Sequence, residues 1–127
     1  MTRTNMDVEK TEKAGILRSK SLQFAVRIVN LTKYLNQEKK EYTLSKQILK
    51  SGTSIGANLA ESATAFSKRT FLAKIYIALK ECSETQYWLE LLYRTDYLTE
   101  EMYHSMQQDC EELRKMLSST TKTIKEN

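Results

Sequence analysis

The sequence predicts an all-α protein, an antiparallel four-helix bundle, and three observations carry that reading. Apolar residues recur at spacings of three and four through most of the chain, no stretch alternates with period two, and the segments between periodic runs are short, which favours antiparallel neighbours. A chain of 127 residues, 40% hydrophobic and without proline, falls in the range of one compact domain with a real core. The reading places a flexible tail over residues 1–18, the bundle over 19–119 and a second tail over 120–127.

Helix one is expected from about Ser19 to Asn36, with two apolar stripes on nearly opposite sides: Leu22, Ala25, Val26 and Val29 on one, Phe24, Ile28, Leu31 and Leu35 on the other. That is more than one core can bury. Helix two is expected from about Thr43 to Phe66, its core stripe being Leu44, Ile48, Ile55, Leu59 and Phe66. Gly52, Gly56, Ala60 and Ala63 lie along its flank. Each glycine costs a helix about 1 kcal/mol relative to alanine, which close approach of a neighbouring backbone can offset. The glycines are therefore read as shaping a contact groove, and they lack the lysine and threonine placement of a phosphate-binding loop.

Helix three is expected from about Ser67 to Thr95, with Ser67 as its cap. Phe71, Ile75, Ala78, Leu79, Cys82, Leu89 and Tyr93 fall toward one side, and Ile77, Trp88 and Leu91 toward another that Tyr87 borders. Helix four is expected from about Thr99 to Ser119: Thr99 can cap it, Glu100 and Glu101 favour the positive end of its dipole, and Leu98 can staple to Tyr103. Its single stripe is Met102, Met106, Cys110, Leu113 and Leu117. The surplus apolar faces of helices one and three call for a neighbouring copy, so Phe24, Ile28, Leu31, Leu35, Ile77, Trp88 and Leu91 are the expected oligomer interface.

Charge is unevenly spread. Residues 18–80 hold twelve basic groups against three acidic ones, and residues 81–127 hold five against ten. Such a division suits either a polyanion-facing surface or association between unlike faces. The candidate phosphate contacts are Arg27, Lys33, Lys39, Lys40, Lys46, Lys50, Lys68, Arg69 and Lys74.

No enzyme motif stands out, and no catalytic residue, metal or cofactor is expected. His104 is the only histidine, sits on the polar side of helix four and has no placed nucleophile, so paired Glu-x-x-His metal motifs are excluded. Glu61, Glu81 and Glu84 are better suited to interhelical hydrogen bonds or ion pairs than to a metal, and Ser54, Asn58 and Glu61 to a specific polar contact. Cys82 and Cys110 lack metal-site spacing and are read as small buried hydrophobes of a cytoplasmic protein. The chain has no apolar run long enough to span a membrane and no secretory signal, so no membrane partner is expected.

In order along the chain, KSLQFAVRIVNLTKYL, EYTLSKQILKSGTSIGANLAES and FLAKIYIALKECSETQYWLELL resemble the successive signatures of the bacterial four-helix-bundle proteins encoded in intervening sequences of 23S ribosomal RNA genes. The match spans roughly residues 19–118, and Gln47, Ser54, Ile55, Asn58, Glu61, Glu81, Glu84 and Leu89 fall on signature positions. The chain is also similar to the accessory variability determinant protein of diversity-generating retroelements. The resemblance implies an up-and-down bundle assembled as a homo-oligomeric, five-fold ring, and a role in nucleic-acid or ribonucleoprotein biology. For the retroelement relatives it implies a basic ring engaging RNA and a reverse transcriptase. Two functions are thereby expected of the chain: an oligomer bound to structured RNA or DNA through the basic surface, or a protein-interaction scaffold whose basic and acidic halves meet between subunits.

Overall fold

The computed structural model describes residues 5–126, with side chains from residue 12 to residue 124. Four helices follow one another: α1 (Asn5–Gln37), α2 (Leu44–Ser62), α3 (Lys68–Arg94) and α4 (Glu100–Glu126). No strand occurs among the described residues.

Side-chain register shows that all neighbours run antiparallel. Ile28 and Ser21 of α1 face Gly52 and Gly56 of α2. Between α2 and α3, Ser51 meets Thr85 and Glu61 meets Lys74. Gln107 and Cys110 of α4 meet Gln86 and Cys82 of α3, and Lys20 and Arg27 of α1 reach Glu112 and Asp109 of α4. In every pair one number rises as the other falls, so the helices go up, down, up, down around one core.

The α1 contribution to that core is a seam of Leu17, Ser21, Phe24, Ile28, Leu31 and Leu35, all buried, spaced four-three-four-three-four. That is the heptad repeat that keeps one face of a helix against its partners. From α2 come Ile48, Ile55 and Leu59; from α3 Ile75, Ala78, Cys82, Leu89 and Leu92; from α4 Met106, Cys110, Leu113 and Leu117. Thr85 is the buried polar pin between α2 and α3, its hydroxyl donating to the Glu81 carbonyl (2.8 Å) and lying 2.9 Å from Ser51 Oγ.

Four expectations are corrected here. Helix one, expected from about Ser19 after a tail over residues 1–18, begins at Asn5, and its seam reaches back past Ser21 to buried Leu17. Helix four runs past Ser119 to Glu126, with Thr121 buried and the hydroxyls of Thr120, Thr121 and Thr123 donating back to carbonyls of the preceding turn. Phe66 is not a core residue of helix two: the helix ends at Ser62, and Phe66 is fully exposed in the following turn. Finally, Phe24, Ile28, Leu31 and Leu35 are not on the outer surface of the protomer but are its innermost α1 residues. The stripe left outside is the other one, with Leu22 67%, Val26 54% and Val29 38% exposed.

Candidate nucleic-acid interface and assembly face

The α1–α2 turn is built by a residue the sequence reading did not single out. Glu41 is buried, and its carboxylate accepts three backbone N–H groups at the start of α2, from Thr43 (3.0 Å), Leu44 (2.7 Å) and Ser45 (2.8 Å), while its own N–H donates to the Leu35 carbonyl (2.9 Å). An anion closing the positive end of a helix dipole is favourable, and it satisfies donors that the helix itself leaves free. The only sequence signal was a lone acid three residues before the first helical position. With Glu41 folded inward, Lys39 and Lys40 point to solvent, Lys40 with a left-handed backbone (φ 52°).

Lys33 on the last turns of α1 and Lys46 on the first turn of α2 are also exposed, so the fold gathers Lys33, Lys39, Lys40 and Lys46 at one end of the bundle. Lys50 follows one turn later, near Glu81. The Glu81 carboxyl lies above the usual range because burial disfavours its charge and Glu84 repels it, with Lys80 and Lys50 opposing both. Lys68 and Arg69 are exposed at the start of α3, at the far end. The 19 residues of α2 separate the two ends by about 28 Å.

Two of the nine expected phosphate contacts behave differently. Arg27 is drawn across to α4, 2.5 Å from Asp109 Oδ2, and it donates to Ser105 Oγ at 2.8 Å. Lys74 donates to Glu61 at 2.6 Å, and Lys20 pairs with Glu112 at 2.6 Å. Part of the opposite charge expected to meet between subunits is therefore joined within one protomer. Lys20 and Arg27 stitch α1 to α4, which is the lightest of the four helix seams.

Small residues bring α1 and α2 close. A Cβ at Gly52 would lie 2.6 Å from Ile28 Cγ1, and one at Gly56 would lie 3.2 Å from Ser21 Oγ. Above this contact a groove of about 590 Å³ runs between the helices, with Leu22 and Ala25 on its α1 wall and Gly56, Ala57 and Ala60 on its α2 wall. The exposed apolar stripe of α1 thus continues into a groove of small side chains. Of the α3 residues expected at an interface, Ile77 is exposed, while Trp88 and Leu91 are half-buried; Trp88 Nε1 donates to Glu84 (3.3 Å) and its ring meets Tyr87 edge-on at 5.1 Å.

Several other polar groups form structural pairs. His104 is exposed, 3.6 Å from Glu100 and beside the stacked rings of Tyr93 and Tyr103. Hydrogen bonds from Arg114 and Gln86 hold the Glu111 carboxyl below its usual range. Contact with Cys82 and burial push the Cys110 thiol above its usual range, and both cysteines are free and buried. No group of His, Cys, Asp and Glu suited to a metal occurs among the described residues, and no described helix is long and apolar enough to cross a membrane.

No curated protein matches the chain. Among solved structures it is similar to a crystal structure of a protein of unknown function from the S23 ribosomal protein family of Bacteroides thetaiotaomicron VPI-5482. The two share 55% sequence identity over 87% of this chain and 98% of that one, with a TM-score of 0.86. Residues 15–119, which hold the buried seam and all four helix-to-helix contacts described above, match the family model of the 23S rRNA-intervening sequence proteins, and to that family the chain belongs.

Proposed function

We propose that the protein is a non-enzymatic, self-associating helical bundle that attaches to RNA through exposed cations at its two ends. One observation carries this reading. Seven of the nine candidate cations, Lys33, Lys39, Lys40, Lys46, Lys50, Lys68 and Arg69, are exposed and make no ion pair among the described residues, whereas Arg27 and Lys74 are half-buried and paired. Cations left open on a surface attract closely spaced phosphates, and an assembly that repeats each cluster strengthens the attachment. The apolar stripe of Leu22, Val26 and Val29, together with exposed Ile77, is the surface that another copy covers, five copies being the number the resemblance implies. The family is named for the intervening sequence of 23S rRNA, which makes ribosomal RNA the first polyanion to test.

Light scattering on the purified protein, alone and with a structured ribosomal RNA fragment across a salt series, tests both parts. The expected result is an assembly whose mass is constant with salt and which releases the RNA as salt rises. An assembly that itself dissociates as salt rises, and takes up no RNA, favours instead the scaffold in which basic and acidic halves meet between subunits. A salt-independent monomer ends the self-association reading.

A further inference from the structure

The turn between α2 and α3 presents a fully exposed phenylalanine, Phe66, on an ordered support. On its α2 side the Thr64 and Ala65 N–H groups donate to the carbonyls of Glu61 and Ser62, both at 3.1 Å. On its α3 side Ser67 adopts an extended backbone and accepts from the Thr70 N–H at 3.1 Å, capping α3. The Lys74–Glu61 ion pair closes the base of the turn. Phe66 is therefore held out in water by bonds on both sides, and its ring packs on nothing in the core.

Its neighbours set the kind of partner. Lys68 and Arg69 are exposed within three residues of the ring, and no acidic residue occurs from Ser62 to Lys80. The first turn of α3 has no acid to offset the positive end of its dipole. An aromatic face flanked by unopposed positive charge matches a strand whose bases are free to stack and whose phosphates follow one another closely. A duplex keeps its base faces stacked on each other and can offer Phe66 only its backbone.

We propose that the α2–α3 turn binds an unpaired stretch of RNA, with one base stacked on Phe66 and the adjoining phosphates on Lys68 and Arg69. This rests on the RNA reading above and narrows it to unpaired nucleotides at one end of the bundle, distinct from the Lys33, Lys39, Lys40 and Lys46 cluster at the other.

The test is fluorescence anisotropy with a labelled 12-nucleotide single-stranded RNA free of self-pairing and with the matching duplex. The proteins compared are wild type, Phe66→Ala, Phe66→Trp and Lys39→Glu/Lys40→Glu, each checked for an unchanged melting temperature. Phe66→Ala is expected to weaken single-strand binding roughly five- to hundredfold and duplex binding less than twofold, and Phe66→Trp to restore it. Equal losses on both probes, or single-strand binding untouched by Phe66→Ala but lost in the Lys39/Lys40 variant, overturn the stacking site and leave the RNA reading standing. No binding of either probe by wild type overturns both. A change in assembly mass on Phe66→Ala assigns the ring to a second copy of the chain and overturns the proposal.

Discussion

The two sides of α1 are about equally apolar, yet they end in opposite environments. One side buries Phe24, Ile28 and Leu35 almost completely, and the other leaves Leu22, Val26 and Val29 in water. Composition does not separate them; persistence does. The buried side keeps its four-three spacing for five turns, from Leu17 to Leu35. The exposed side lasts about two turns, between the charged positions Arg18 and Lys33. A short apolar stripe cannot span a core, and it is left on the surface.

The sharpest break of this contrast is Ile28→Ala against Val26→Ser. Truncating a fully buried isoleucine is expected to cost about 2–5 kcal/mol in denaturant unfolding, while the outer change stays within about 0.5 kcal/mol for the protomer. Val26→Ser should instead reduce the mass seen by light scattering. A large unfolding cost at Val26 would mean that the outer stripe belongs to the folding core of an obligate assembly.

The three glycines grade the same surface. Gly52→Ala places a methyl 2.6 Å from the buried Ile28 side chain, so overpacking of about 1–3 kcal/mol outweighs the gain of about 1 kcal/mol in helix propensity. Gly56→Ala meets only Ser21 Oγ at 3.2 Å and should be close to neutral. Gly15→Ala meets nothing and should stabilise by up to about 1 kcal/mol. Melting temperatures rising in that order, from Gly52→Ala to Gly15→Ala, confirm how closely α1 approaches α2, and equal values for all three refute it.

Glu41→Ala removes the carboxylate that accepts from Thr43, Leu44 and Ser45, and a loss of about 1–2 kcal/mol is expected. Glu81 gives the smallest effect, with a defined sign. Its folded carboxyl titrates above the unfolded one, so the charge is disfavoured in the fold and wild-type stability rises as pH falls through the folded value. Glu81→Gln should therefore be slightly more stable than wild type at neutral pH, and the two should converge in acid. A variant that is less stable at neutral pH would make Glu81 a stabilising partner of Lys50 or Lys80.

Much of the architecture was legible in the sequence because it is written in local spacing. Ser67 caps α3 and Thr99 Oγ1 accepts from the Met102 N–H at the start of α4, and Met106, Cys110, Leu113 and Leu117 form one buried stripe. The errors fell where local pattern and long-range pairing diverge. Phe66 fits the helical period of α2, but the chain turns before reaching it. Arg27 reads as surface charge until Asp109, 82 positions later, is brought beside it. Glu41 has no pattern of its own, because its role is to close a helix by reaching forward onto the first turn.

The reach of α1 beyond α2 has a consequence for exchange of its amide protons with solvent. At 33 residues the helix is about 50 Å long against about 28 Å for α2, and residues 12–16 are exposed before the seam begins at Leu17. A helical segment with no packed face keeps its hydrogen bonds only weakly, whereas amides over the seam open with the whole bundle. In deuterium, protection is expected to rise steeply at about Leu17 and stay high to Leu35, so that the isotope pattern along a single unbroken helix marks where the folded body starts.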